Sequence, residues 1–378
     1  MSPPTPGPAR ALHLTTIPVS LRHFMAPVAD RLRADGWCVD GAAAGATDGG
    51  VETRYDAVFD VPWSRNPAAP SNLARALPAL RRRLRDGRYS VVHVMTPVAG
   101  LVTRLAVASL PRPERPAVVY AAHGFHFFAG GPRLRNAAYR TLERSVARWT
   151  DALCVLNDED RAAAVALGLA PAERIVRLHG PGIDLRRFDP ATVSDADVRR
   201  VRDGLGLTPA DVLVTQVAEF TPRKRHADLV RAAARVPGLH LALPGAGPLV
   251  GEVRALAAAL GIADRVHLLG FRRDVPALLR ASRAAVLVSE QEGLPTCVIE
   301  ALALGVPVVG TRIRGTRELL AHGGGWLVPL GDVAEIAAAL QAVASGAAAS
   351  AAPDMTPYGT DAVFREYEHA YRIARNRR

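Results

Sequence analysis

Residues 286–332 read VLVSEQEGLPTCVIEALALGVPVVGTRIRGTRELLAHGGGWLVPLGD. The apolar run at 284–289 is short and suits a buried parallel strand, while 295–304 has helical spacing with Gly305 placed to end it. Glu292 then lies in a loop and Glu300 on a helix, eight positions apart across a Gly-Leu-Pro turn. Pro295 suits the first helical position, where its missing N–H costs nothing, and the free N–H groups near Leu294 and Pro295 point into the loop. An anion is expected there. Thr296 and Glu300 share a helix face, which sets the second carboxylate about 5–6 Å behind that anion. A nucleoside diphosphate fits the arrangement, with its diphosphate on the helix N-terminus, its ribose hydroxyls on Glu300, and Glu292 reaching the group on the far phosphate. Two glutamates in a strand-loop-helix unit are also common in α/β proteins as a solvated helix residue and an ordinary loop charge. The bare spacing leaves both readings open.

Working outward, strand-like and helix-like segments alternate along the whole chain, the pattern of parallel sheets covered by helices. Strands are expected at 12–15, 38–42, 57–61, 91–94, 118–121, 153–156 and 175–178, with helices between them, among them 24–34, where Phe24, Val28 and Leu32 recur at four-residue steps. Residues 179–195 are rich in Gly, Pro and Asp without apolar period and read as an interdomain connection. Strands resume at 212–217, 239–243, 266–268, 284–288, 306–309 and 326–328, then a loose stretch at 346–357 precedes a final helix over 361–374. A chain of 378 residues holds two such domains comfortably. The expected fold class is α/β, two Rossmann-like doubly wound domains over 1–185 and 186–358, with residues 359–378 as a terminal helix. Ligands of such sheets sit at the carboxyl ends of the strands.

No run of 18 apolar residues occurs, so no spanning helix is expected, and residues 1–10 lack the apolar run of a signal peptide and read as a disordered leader. Cys38, Cys154 and Cys297 show neither paired nor metal-binding spacing, as expected of reduced thiols in the cytoplasm. The net charge is +11, and residues 1–185 hold 23 arginines against 16 acids, so the front half is the more basic. Arg81, Arg82, Arg83, Arg85 and Arg88 form one cluster, while Arg133, Arg135, Arg140, Arg144 and Arg148 line one helix. Such faces are usually solvated; the alternative is peripheral association with an anionic membrane or attraction to a diphosphate-linked acceptor. Nucleic acid is not an expected partner, because no reading module accompanies the charge. The acids Asp158, Glu159 and Asp160 open a predicted helix, where they favour the positive end of its dipole, and no metal site is expected. Gly245-Ala246-Gly247 follows a strand but lacks a third glycine at dinucleotide spacing and is expected to be a tight turn.

The run E-G-L-P-T-x-x-x-E-A-L-A-x-G-x-P-V-V-x-T-x-x-x-G-x-x-E resembles the signature of the retaining glycosyltransferases of family 4, which have the two-domain GT-B fold. The segments HLTTIPVSLRHFMAPVADRLRADGW, VHVMTPVAGLVTRLA, AAHGFHFFAGG, GPGIDLRRF and VAEFTPRKRHADLVRAA extend the resemblance over nearly the whole chain, nearest to the exopolysaccharide and capsule branch. It implies two facing domains with the active site in their cleft and a last helix crossing back to the first domain. It also implies a phosphate-binding role for Lys224, which is the sole lysine beside 46 arginines, and for Arg223. Glu292 is implied as the contact to donor-sugar hydroxyls, Leu294, Pro295 and Thr296 as the distal-phosphate site, Glu300 as the ribose ligand, and Gly270, Phe271 and Arg272 as the base cradle. His123, followed by Gly124, is implied as a contact near the reacting carbon. On the acceptor side stand Ser20, Arg22 and His23, in a loop after the first strand, with His126, Phe127 and Phe128. Two departures are visible: Glu219 stands where relatives often carry an arginine, and the first loop lacks their glycine pair.

The expected activity is metal-independent, retaining transfer of a hexose or N-acetylhexosamine from a UDP-sugar to a hydroxyl of a glycan, a lipid-diphosphate-linked glycan or a secondary metabolite. No cofactor is expected. Two alternatives remain open: a nucleotide-sugar epimerase of the same architecture, and a catalytically silent sugar-nucleotide binding protein.

Overall fold

A computed structural model describes residues 8–48, 50–64 and 66–377. Of the leader expected at 1–10, residues 1–7 lie outside them, and Arg10 already belongs to the first strand. The chain divides into two compact units, Met1–Gly182 with Thr360–Arg378, and Ile183–Gly359.

In the first unit seven parallel strands form one sheet: β1 (Arg10–Leu14), β2 (Cys38–Ala43), β3 (Ala57–Asp60), β4 (Val91–Met95), β5 (Ala117–Ala122), β6 (Ala152–Val155) and β7 (Ile175–Arg177), in the order β3-β2-β1-β4-β5-β6-β7. The strands are nearly continuous runs of Val, Ala and Leu because helices cover both faces. Leu12, Leu14, Val92, Val94, Val118 and Tyr120 fill one side of the core. A buried ion pair ties the covering helices: Arg104 Nη2 donates to Glu143 Oε2 at 2.8 Å while Tyr120 donates to Glu143 Oε1 at 2.7 Å. The helix Thr360–Arg375 packs on β4, β5, β6 and β7 of this sheet and buries Val363, Tyr367, Ala370, Tyr371 and Ala374.

The second sheet has six parallel strands, β8 (Val212–Thr215), β9 (Leu239–Pro244), β10 (Val266–Gly270), β11 (Ala284–Leu287), β12 (Val308–Thr311) and β13 (Gly325–Val328), ordered β10-β9-β8-β11-β12-β13. Val214, Leu241, Val286, Val309 and Leu340 lie in its core. In each sheet the strand order reverses once, between β1 and β4 and between β8 and β11. Those are the points where the loops at the carboxyl ends diverge and leave a crevice.

Three local expectations are corrected. The first helical segment begins at Pro18, where Ile17 is extended (φ −139°, ψ 149°), and passes through a π-type turn, Leu21–Met25, before the helix Ala26–Ala34. Ser20, Arg22 and His23 therefore lie in helical turns and not in a loop. Strand β12 starts at Val308 and not at 306, because Pro307 has no N–H to give the ladder. Gly245 and Gly247 are no tight turn. They have φ +148° and +153°, and a Cβ on either would stand 1.9 Å from the Ala218 carbonyl oxygen or 2.5 Å from that of Phe220. They are glycines so that the loop after β9 can lie against the loop after β8.

Candidate functional site

In the second unit the residues of interest gather where β8 and β11 part. The segment after β8 carries Lys224 at the end of a short 3-10 turn, Pro222–Lys224, and the segment after β11 carries Glu292. Lys224 Nζ donates to Glu292 Oε1 at 2.5 Å, with the two side chains only 14% and 11% exposed. Two buried groups hold the loops in register. Gln216 donates to the Lys224 carbonyl at 3.2 Å and accepts from the Val288 amide at 3.3 Å, and the Glu290 amide donates to the Arg223 carbonyl at 2.8 Å. On the other side, Arg314 Nε donates to the Glu292 carbonyl at 3.0 Å. Gly315 packs so closely there that a Cβ would lie 2.3 Å from the Gly293 oxygen. The Arg223 side chain itself is exposed.

The helix that follows is Thr296–Ala303, and Pro295 is its N-cap (φ −74°, ψ 116°), one place earlier than expected. The first amide to pair inside the helix is that of Val298, to the Pro295 carbonyl at 3.1 Å. Thr296 and Cys297, and not the imino nitrogen of Pro295, thus present the amides at the helix start. Leu294 is buried and anchors the turn. Glu300 lies one turn further on, half-buried. Desolvation pushes its carboxyl up to about 7, and the positive charge of Arg187 opposes that only in part. Burial pushes the neighbouring Cys297 thiol up to about 12, so it is protonated and unreactive at neutral pH. Gly270 closes β10 with φ +63°. Phe271 beside it is 79% exposed, a large apolar ring offered to solvent, and Arg272 is held by Asp274 through two hydrogen bonds at 2.7 and 2.5 Å. Glu219 is exposed and points no cation at the site.

In the first unit His123 follows β5 directly and is half-buried. Desolvation lowers its pKa to about 4, so the ring is neutral. Its Nε2 lies 3.4 Å from the Tyr367 hydroxyl and its ring 5.5 Å from that of Phe24. The acids Asp158, Glu159 and Asp160 do open a helix, Asp158–Ala166, and two of them also brace the loop after His123: Asp160 accepts from the Phe125 amide and Glu159 from the Ala129 amide, both at 3.3 Å. Of the acceptor-side candidates, Phe127 is corrected. It is 3% exposed and stacked on Phe125 at 4.8 Å, a core residue with no face left for a ligand. His126 is exposed beside Tyr139, Phe128 is half-buried, Arg22 and His23 are exposed, and Ser20 is half-buried. Arg135 and Arg140 of the basic helix, Arg133–Val146, cover the rings of Phe128 and Phe127 at 5.5 and 5.6 Å.

Sequence reasoning missed four residues. Gln216 left a trace, a polar residue ending the apolar run VLVTQV. Tyr367 and Tyr371 left one too, as aromatics four apart on the last helix. Arg314 is one arginine among many and had no distinguishing mark. Among the described residues no group of three or more His, Cys, Asp or Glu could hold a metal ion, and no helix is long and apolar enough to cross a membrane.

Two family models match the chain, a glycosyl transferase 4-like domain over residues 21–181 and glycosyl transferases group 1 over residues 197–359. EpsD of Bacillus subtilis (strain 168), itself assigned as a glycosyltransferase, is 33% identical over 334 residues, 87% of this chain and 85% of the relative. The UDP-Gal:alpha-D-GlcNAc-diphosphoundecaprenol alpha-1,3-galactosyltransferase of Escherichia coli is 28% identical over 270 residues, 68% of this chain and 67% of the relative. Among solved structures, Anabaena HepE in complex with UDP and glucose superposes with a TM-score of 0.73 at 20% identity, over 95% of this chain and 98% of that one.

Proposed function

Starting from a chain that belongs to the family 4 glycosyltransferases, with their GT-B fold, we propose that it transfers a hexose or N-acetylhexosamine from a UDP-sugar, with retention and without a metal, to a hydroxyl of a glycan or lipid-linked glycan. The observation that carries this reading is the junction of β8 and β11. There Lys224 pairs with Glu292, the helix that follows opens with the free amides of Thr296 and Cys297, and Glu300, whose carboxyl has no hydrogen-bonding partner among the described residues, lies one turn further along that helix. A diphosphate meets Lys224 and the helix N-terminus, the ribose hydroxyls meet Glu300, and the exposed ring of Phe271 offers the base a stacking face, with Gly270 and Arg272 beside it. Lys224 supplies the cation that a metal would otherwise provide. His123 is the first unit's own candidate for a sugar contact.

The proposed chemistry is front-face displacement. The bond from the anomeric carbon to the β-phosphate oxygen breaks, the acceptor oxygen bonds to that carbon on the same face, and the acceptor proton passes to the departing phosphate oxygen. Glu292 is assigned to sugar hydroxyls and not to nucleophilic attack. The donor class draws support from the UDP-galactose in the name of the E. coli relative and the UDP in the HepE complex; the lipid-linked acceptor draws support from the diphosphoundecaprenol in that same name. A cytoplasmic enzyme, peripheral to the membrane through the basic first unit, accords with such an acceptor.

A panel of UDP-sugars, assayed for UDP release with and without glycan acceptors and with EDTA present, tests the proposal. Mass spectrometry and anomeric proton couplings of the product complete it. Acceptor-dependent release, unaffected by EDTA and giving a retained anomer, is expected; conversion of UDP-GlcNAc without any acceptor would favour the epimerase, and unchanged turnover after Glu292→Ala and Lys224→Ala would overturn the site.

A further inference from the structure

The two charged groups assigned to different parts of the donor are joined to each other, Lys224 Nζ to Glu292 Oε1 at 2.5 Å in a largely buried setting. Lys224 cannot bind a diphosphate at full strength while it holds Glu292, and removing one member of such a pair strands the other charge away from water. The cost depends on what arrives. UDP draws Lys224 away and offers nothing to Glu292, whereas a UDP-sugar brings hydroxyl donors that satisfy the released carboxylate. Arg314 Nε on the Glu292 carbonyl and Gln216 on the Lys224 carbonyl fix both backbones, so neither residue relieves the other by moving its loop.

Resting on the donor-site reading above, we infer that Glu292 is a specificity-determining residue that discriminates the sugar-bearing nucleotide from the bare nucleoside diphosphate, by competing for Lys224 until sugar hydroxyls replace it. The same exchange drives product release. Once the sugar has been transferred, Glu292 loses its hydroxyl partners and reclaims Lys224 from UDP.

Calorimetric titration with UDP and with UDP-glucose, without acceptor, tests this in the wild type, Glu292→Gln, Lys224→Gln and the double variant. Glu292→Gln should tighten UDP by about tenfold, shrink the preference for UDP-glucose over UDP, and strengthen product inhibition by UDP in the same proportion. Lys224→Gln should weaken UDP, and in its presence Glu292→Gln should no longer tighten it. Weakened UDP binding in Lys224→Gln together with unchanged or weaker binding in Glu292→Gln overturns the inference and leaves the donor site standing. Unaltered UDP binding in both single variants overturns the donor site and the inference with it. Should the amide variant fail to fold, Glu292→Ala, which also removes the carboxylate, takes its place and should tighten UDP in the same direction.

Discussion

Apart from the Arg104–Glu143 pair that ties the covering helices of the first unit, the two units bury polar side chains at their sheets in different ways. In the first, His13 Nε2 and His93 Nδ1 both meet the Tyr371 hydroxyl, at 2.9 and 3.1 Å, and His123 reaches Tyr367. Burial lowers His13 to about 3 and His93 well below its ordinary range, so these rings are neutral and the hydroxyl donates to one and accepts from the other. In the second unit, Lys224 and Glu292 are buried as ions, and Glu300 is left near its midpoint. Neutral hydrogen bonds of this kind hold packing together and gain little from a charged ligand. A buried ion pair is different, since a ligand carrying both a negative charge and hydroxyl donors can replace each half of it. At these points the first unit is held by groups that do not titrate near neutrality, whereas on the proposed reading the second prepares binding with groups that can change partner.

The strongest way to break this comparison is to remove the cation. Lys224→Ala should lower turnover by about 10²–10³-fold, the scale of losing one preorganised donor at a developing charge, and should also lower the melting temperature, because Glu292 is left as an unpaired and largely buried charge; steady-state rates beside thermal unfolding check it. Next, Tyr371→Phe should cost the first unit about 1–3 kcal/mol, because two buried imidazoles lose their partner, read from denaturant midpoints, with the UDP affinity of the second unit unchanged.

Glu300 then sharpens the contrast through pH. On the proposed assignment it accepts the ribose hydroxyls as a carboxylate, so kcat/KM for the donor should fall by about tenfold per unit as pH drops below about 7, and that limb should vanish in Glu300→Gln. Its effect on stability has the opposite sense. The folded pKa lies above that of the unfolded chain, so the folded protein binds the proton more tightly. The stabilisation is complete below the unfolded value near 4.5 and is lost as pH rises through about 7. Glu300→Gln should therefore flatten the decline in melting temperature between pH 5 and about 8. For the imidazoles the sign reverses: their folded pKa values are depressed, so stability is lost as pH falls below about 6.5. The smallest effect should come from Phe271→Ala. It should raise the donor KM several-fold through lost base stacking, about 1 kcal/mol, and leave stability untouched because the ring is 79% exposed.

Every strand of both sheets was legible in sequence, because a parallel strand covered on both faces must be a short apolar run between breakers. The loop position of Glu292 and the helix under Glu300 followed from the same punctuation. The union of Lys224 with Glu292 did not, since 68 residues separate them and no periodicity encodes which strand-end loops meet. Phe127 was misplaced for a related reason. In the run Phe125-His126-Phe127 the alternation marks 125 and 127 as facing one way, yet only the sheet topology decides that this way is inward. The start of the first helix, by contrast, was marked by Pro18 and was available to be read.

The helix Thr360–Arg375 has a consequence for how the molecule is made. Tyr367 and Tyr371 complete the core of a unit whose other members end at Gly182, and the ribosome must synthesise all of Ile183–Gly359 before supplying them. The second unit is continuous in sequence and can finish folding as it emerges. The first must wait with part of one sheet face, over β4 to β7, open, and at about 5–20 residues per second that wait lasts on the order of ten seconds or more. During translation, therefore, the earlier-made unit is the later one to mature, and its uncovered face is the stretch of surface a chaperone would hold.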